Sequence, residues 1–581
     1  LAPRPPTEPR DRVAGAQLPV PIPASDLPDP GRAARGPAIS ALLFAAAVAT
    51  GAWLRLDQLS LQVIGDDEWH AVFFLRDHGY GEILRSFGDS DHSIPLTLYC
   101  KLVADTVGLS ELAMRAPVLL FGMLALVLIP WLLSDHVGAR TSLVFSALLA
   151  ISPLHVYFSR YARPYSAMLL FGVVGVLAFE RWWRTGLRRW AAVYAACAIL
   201  GPWFMPVVAP FLLAPFVYAL LPKRDGSRWR SRLARLVPLG LAVSLGIGVL
   251  LGPPTWHSLH GLQLRAGESS LAASSLPTAF QLVSGTATHA TAFGVAALAF
   301  AGALSLARTC PTLLLYALFP TAVQLAALAI LRPAELGSAI VLVRYTLPAS
   351  AFALLLVAEG CTFLDQRLGV AWHRWPNLLF SAGVCSALLA SGPLISCFDR
   401  SNASWYRPNS FTNHGLFQYD YDKDDRRSTA ESHAQSGWEF YRKLAQTADL
   451  PGARLERVVE APAYVDWGRS PFVLYQQIHK RPVSIGYVHQ PGAGRGELHL
   501  PWPDPRFRFH NLVHLADHER MREQGVRYVV LHKRSRTGAV PRGSSGLDWV
   551  APWISAYSER FGAPCHEDEG VIVFDLRRSA P

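Results

Sequence analysis

Three successive carboxylates, Asp66, Asp67 and Glu68, stand in the run Gly65-Asp66-Asp67-Glu68-Trp69-His70, just past the first long apolar segment. A carboxylate held near lipid has a tunable pKa and can work as a general base. The same residues also suit a solvated acidic turn that caps a helix from Trp69 to His78, because Asp is a favoured N-cap. Farther on, Asp89, Asp91 and His92 carry oxygen and imidazole donors that suit a divalent ion or an acceptor substrate. Their spacing fits a plain polar turn ahead of Pro95 as well. The third group is cationic: Arg160 and Arg163, with Tyr165, lie in Tyr157-Phe158-Ser159-Arg160-Tyr161-Ala162-Arg163-Pro164-Tyr165-Ser166. Guanidinium matches phosphate in bidentate fashion and keeps its proton. Lipid headgroups beside an aromatic belt account for the same residues. Arg344, in Val343-Arg344-Tyr345-Thr346-Leu347-Pro348, either joins that anion site or snorkels. Brought into one membrane cavity, these groups suit attack by a hydroxyl or amine on a carbon whose leaving group is a phosphate. A lipid-linked sugar phosphate is such a substrate, since its tail stays in the bilayer while the sugar reaches water.

The elements that must position these residues are membrane spans. The chain has 581 residues, 51% hydrophobic and only 17% charged, with a mean hydropathy of +0.22. That composition lies outside the usual range of soluble domains, and about 20 apolar residues suffice to cross a bilayer. Apolar runs at 38–56, 116–134, 141–158, 165–182, 190–204, 206–221, 235–252, 289–306, 311–331, 344–362 and 377–397 predict about eleven spans. The segment 94–108 is apolar but short, and it carries Lys101 and Asp105. Laid along the membrane surface, it leaves the basic tail (Arg4, Arg10, Arg12), the 181–189 loop and the 223–235 loop on one side, which the positive-inside rule makes the cytoplasm. The net charge of +11 is thereby explained without nucleic acid. The loops 57–115, 158–165 and 253–288 and everything after the last span then face outward.

Residues 1–36 are rich in Pro, Arg and Ala without an apolar core, and are expected to be a disordered cytoplasmic tail ahead of a membrane domain over 37–398. Residues 399–581 are expected to form an extracytoplasmic α/β domain. Its predicted strands lie near 454–461, 482–487, 526–532 and 570–576, alternating with helices near 434–449, 471–480, 513–524 and 548–561. The seven Cys residues suggest no disulfide framework. The usage of Ala, Arg, Pro and Gly fits a GC-rich bacterium, and so the inner (plasma) membrane.

Taken in order, Asp67-Glu68, His92-Ser93-Ile94-Pro95-Leu96-x-x-Tyr99, Gly108-x-x-Glu111-x-x-x-Arg115 and Ser159-Arg160-x-x-Arg163-Pro164-Tyr165 resemble the glycosyltransferase-C superfamily. The nearest group is the family 39 glycosyltransferases, which include protein O-mannosyltransferases and the aminoarabinose transferase of lipid A. The resemblance covers residues 40 to about 185 in detail and Arg344-Tyr345 more loosely. It implies a membrane helical bundle with a soluble α/β appendage. The implied activity moves a sugar from a polyprenyl phosphate to a glycan, lipid or protein acceptor outside the cytoplasm. Asp67 would be the catalytic carboxylate, with Glu68 beside it and Asp66 as an extra acid. Arg160, Arg163, Tyr165 and Arg344 would hold the donor phosphate. No cofactor is required, with Mg²⁺ or Mn²⁺ optional. Relatives often carry Pro-Pro-Leu, sometimes after Lys, where this chain has His92-Ser93-Ile94-Pro95-Leu96, so a phosphate-binding Lys is not expected there and His92 is its candidate substitute. A transporter or flippase for a phosphate-bearing lipid is the alternative, but such proteins often show repeated halves, and none is evident here.

Overall fold

The computed structural model describes residues 30–57, 59, 68–88, 92–107, 109–221, 229–267, 269–371, 378–395, 438–447, 450, 456–461, 481, 518–523, 525–533, 551–568 and 570–578. Helices come first: α1 (Pro30–Leu56), α2 (Glu68–Asp77), α3 (Tyr80–Arg85), α4 (Ile94–Thr106), α5 (Glu111–Ile151), α6 (Pro153–Ser159), α7 (Tyr165–Thr185), α8 (Arg188–Phe204), α9 (Ala209–Leu220) and α10 (Trp229–His257). They continue as α11 (Leu259–Arg265), α12 (Leu276–Ser284), α13 (His289–Thr309), α14 (Pro311–Leu331), α15 (Ala339–Tyr345), α16 (Leu347–Ala371) and α17 (Leu379–Ser391). Among the described residues, α5, α7, α10, α13, α14 and α16 contain segments long and apolar enough to cross a membrane, and Ser40–Leu56, Pro206–Leu220 and Leu379–Ser391 are shorter apolar helices. Each expected span overlaps one of the helices. Helix α1 begins inside the stretch read as a tail.

Helix α5 consists of two helical arms that meet at a non-helical Gly138. Gly138 has φ 76°, and the Ser142 hydroxyl donates to the Pro130 carbonyl at 2.6 Å. These residues would be about 18 Å apart in a straight helix. A Cβ at Gly51 of α1 would meet both Leu126 and Ala150, from the two arms of α5. The chain therefore doubles back at Gly138, where the left-handed backbone favours glycine, and the two arms correspond to the runs 116–134 and 141–158.

Helix α7 is the centre of the bundle, with 83% of its most apolar window buried, against 17% for α10 and α13. The outer helices turn side chains such as Leu245, Phe293 and Phe300 outward, as expected where lipid is the solvent. A smaller core joins α2, α3, α4 and the start of α5. It contains Val72, Leu75, Ile83, Cys100, Leu109 and Met114, and Ala162 from the α6–α7 loop enters it too. The segment read as interfacial is thus the short helix α4, packed on α2 and α3, with Lys101 paired to Asp105 at 3.5 Å on its exposed side.

The C-terminal region contains α18 (Trp438–Gln446), β1 (Arg457–Ala461), α19 (His518–Glu523), β2 (Val526–His532), α20 (Ala551–Phe561), β3 (His566–Glu567) and β4 (Val571–Asp575). The sheet order is β1-β2-β4-β3. Strands β1 and β2 are parallel, while β4 is antiparallel to β2 and β3. Val529, Leu531, Ile572 and Phe574 pack with Met521, Tyr557 and Phe561 on one face. Tyr528, Val530, Val571 and Val573 pack with Phe440, Tyr441 and Leu444 on the other. Burial on both faces explains why β2 and β4 read as nearly continuous apolar runs. The helix expected near 471–480 and the strand near 482–487 lie outside the described residues.

Candidate active site

The end of α1, the start of α5 and the α6–α7 loop meet around Glu68. Arg115 donates to both Glu68 oxygens, Nε to Oε1 and Nη2 to Oε2, each at 3.0 Å. The backbone N–H of Ala162 donates to Oε1 at 2.7 Å. Glu68 is 1% exposed and Arg115 fully buried. The Glu68 carboxylate, held by a guanidinium fork and a backbone N–H, thus joins three chain segments that are distant in sequence. This geometry suits Glu68, expected beside the catalytic Asp67, to positioning. Asp66 and Asp67 lie outside the described residues.

Arg160 lies against the end of α1. It is fully buried, and its Nη1 donates to the Leu54 carbonyl at 2.8 Å and the Asp57 carbonyl at 2.6 Å. Carbonyls at a helix end have no partner within the helix, and a cation there also meets the negative end of the dipole. Arg160 therefore holds down the end of α1, from which the acidic loop departs. Arg55 braces the same junction. Its Nε donates to Ser159 Oγ at 3.1 Å and its Nη1 to the Gly51 carbonyl at 2.9 Å, with longer bonds of 3.3 Å to the Ala150 and Leu149 carbonyls. A Cβ at Gly122 would collide with the Ser159 hydroxyl, so glycine there lets α5 approach. Below this layer His155 bridges Ser152 Oγ at 2.9 Å and Ser350 Oγ at 3.1 Å, tying α6 to α16.

Of the remaining residues of the cationic group, Arg344 and Tyr165 come together. Arg344 lies 5.8 Å from the ring centre of Tyr165 and 5.3 Å from that of Tyr345. Tyr165 is buried and stacks at 6.5 Å with Tyr161. Arg163, two residues before Tyr165, is 6% exposed. Gln324 donates to the Tyr345 carbonyl at 3.0 Å and the Val207 carbonyl at 2.7 Å, and accepts from the Phe211 N–H at 3.2 Å. It thereby fixes the α15–α16 corner on which Arg344 stands. His92 is half-buried with its ring 5.4 Å from Phe87. Asp89 and Asp91 lie outside the described residues, and no group of three or more His, Cys, Asp or Glu able to hold a metal occurs among the described ones. Tyr99 pins α4 to α5 by donating to the Ala113 carbonyl at 3.1 Å, and burial raises its hydroxyl pKa, so it keeps the proton it donates.

A cleft of about 360 Å³ opens where α3 meets the last turns of α8 and α10, lined by Leu84, Arg85, Trp203, Val249, Pro253 and His257. The Phe87 N–H donates to Ser258 Oγ at 2.9 Å and closes one side. Arg85 and His257 are exposed while the other lining groups are largely apolar, a combination suited to an anion attached to a hydrocarbon. Sequence reasoning missed this cleft, and it missed Arg55. An Arg at the end of an apolar run reads as a snorkelling anchor, and only the fold shows it turned inward.

No family profile and no curated protein matches the chain's sequence. Its structure is similar to that of ArnT from Cupriavidus metallidurans in the apo state, with a TM-score of 0.50 and 14% identity over 94% of this chain and 100% of that one. ArnT from the same organism bound to undecaprenyl phosphate gives a TM-score of 0.48 and 14% identity, covering 93% and 99% of the two chains. An oligosaccharyltransferase from Archaeoglobus fulgidus, tethered with an acceptor peptide, gives 0.40 and 11% over 85% and 69%. At 14% identity the similarity to apo ArnT is one of architecture, and the chain shares that fold.

Proposed function

We propose that the chain is a membrane glycosyltransferase that moves a sugar from a polyprenyl-phosphate donor to an acceptor outside the cytoplasm. The observation that carries this reading is the clamp of Glu68 by Arg115 and the Ala162 N–H. It ties the residue following Asp67 in sequence to the loop that bears Arg163 and Tyr165, which supports a reading in which a base and an anion site work together. In this reading Asp67 accepts the proton of the acceptor hydroxyl or amine as the nucleophile attacks the anomeric carbon. The bond from that carbon to the phosphate oxygen breaks, its electron pair leaves with the polyprenyl phosphate, and Arg163 and Arg344 stabilise the departing charge. Tyr165 orients Arg344, while Arg160 and Glu68 hold the loops in place. Asp91 and His92 are candidates for acceptor or optional Mg²⁺ or Mn²⁺ binding, and Asp66 is an extra acid beside Asp67. The cleft beside Arg85 and His257 has the chemistry to receive the amphiphilic donor.

Reconstituted protein supplied with a sugar-labelled polyprenyl phosphate tests the proposal. Sugar should leave the lipid for an acceptor, and Asp67→Asn should abolish transfer while donor binding persists. Intact labelled lipid crossing to the other leaflet without sugar release would identify a flippase instead. Retained turnover in Asp67→Asn would remove that residue from the chemistry.

A further inference from the structure

The opposite end of α7 carries a second cationic assembly that the reaction does not use. With 21 residues, α7 places its Thr185 end about 30 Å from Tyr165. There Arg181 is buried, and its Nη2 donates to the Leu132 carbonyl and to Asp135, both at 2.7 Å. Its guanidinium lies 4.8 Å from the Trp190 ring and 5.9 Å from that of Trp131. The Arg181 Nε is buried and makes no hydrogen bond among the described residues. Arg235, from α10, lies 5.1 Å from the Trp183 ring and 5.7 Å from that of Trp182. It covers Gly186, whose φ of 71° closes the α7–α8 turn and whose absent Cβ would stand 3.6 Å from Arg235 Nη2. Arg189 lies 5.6 Å from the Trp190 ring.

The acids nearby are already engaged. Asp135 is paired with Arg181, and Glu180 with Arg184 at 3.2 Å and His136 at 2.9 Å. Five Arg (181, 184, 188, 189 and 235) against two acids (135 and 180) leave an excess of three Arg over acids. Arg188, Arg189 and Arg235 are exposed and form no ion pair among the described residues. The adjoining surface is apolar, with Leu187, Val237 and Leu241 exposed at 45%, 49% and 67%.

We infer that this turn, with the facing turn of α10, binds the headgroup of an anionic glycerophospholipid. Fixed guanidinium groups meet the phosphate, indole rings lie at the level where Trp favours the membrane interface, and the acyl chains run along the lipid-facing side of α10. A soluble anion would use the charges but not the apolar surface beside them. The site is separate from the proposed transfer site and does not depend on that assignment.

The full chain in neutral detergent, titrated with phosphatidylglycerol or with phosphatidylcholine of the same chains, tests this by counting bound lipid in native mass spectrometry. Wild type should retain phosphatidylglycerol preferentially. The triple variant Arg188→Gln, Arg189→Gln, Arg235→Gln should bind it about fivefold more weakly for each charge removed, whereas the triple Arg→Lys variant should keep most of the preference. Inorganic phosphate at matched concentration should fail to displace the lipid. Equal retention of the two lipids by wild type, an undiminished preference in the Gln variant, or complete displacement by phosphate would overturn the inference.

Discussion

At the scale of single residues, charge is buried here for position as much as for chemistry. Glu68 and Arg115 are both at most 1% exposed, so removing either leaves the other as an uncompensated charge, at a cost of about 3–5 kcal/mol. Glu68→Ala and Arg115→Ala should each lower the thermal unfolding midpoint strongly, and the double variant should lose less than the sum of the two. Additive losses would mean the pair is not coupled. Arg115→Lys should also weaken transfer more than donor binding, because a point charge cannot reproduce the two-pronged hold on Glu68. The residue types of this site were legible in the sequence. The pairings were not. Nothing in the spacing says that Glu68 takes Arg115, or that Arg160 turns back onto Leu54 and Asp57, because those partners lie 47 and 106 or 103 positions away.

At the scale of elements, hydropathy located the helices and close packing joined them. Strand β2 matches the expected range 526–532, and α4 nearly fills 94–108. The reversal at Gly138 follows from two apolar runs separated by a short polar turn. The short helices α11, α12 and α15 escaped notice because they carry no long periodic pattern. The contact between α13 and α16 was equally hidden, since it depends on glycines facing each other across the bundle. A Cβ at Gly302 would collide with the Leu356 carbonyl, and one at Gly360 with the Leu298 carbonyl. Backbone meets backbone there, so neither neighbour can rotate aside. Gly302→Ala should force the helices apart and destabilise the protein by about 1–3 kcal/mol. Gly294→Ala lies on the same helix with nothing within 4 Å of the added carbon, and it should be neutral or slightly stabilising. Thermal unfolding in detergent distinguishes them, and equal midpoints would show that the interface yields.

At the scale of the whole molecule, the two charged ends of α7 are separated by about the thickness of a bilayer's hydrocarbon core. One end holds Arg163, Tyr165 and the cleft at His257. The other holds the Trp-rich turn, the α5 reversal and the basic start of α10. By the positive-inside rule the excess of Arg at the second end predicts that it faces the cytoplasm, and the proposed transfer site would then face outward, where a lipid-borne donor can meet a cell-envelope acceptor. Orientation can be measured directly with single cysteines in a background from which the native ones have been replaced. His260, in α11, and Arg140, beside the α5 reversal, are both exposed. A membrane-impermeant maleimide applied to intact cells should label His260→Cys and leave Arg140→Cys unmodified until the cells are permeabilised. The opposite pattern would invert the protein and turn the proposed site toward the cytoplasm. Labelling of both in intact cells would mean that α7 does not separate two compartments, and the membrane reading of the fold would fail with it.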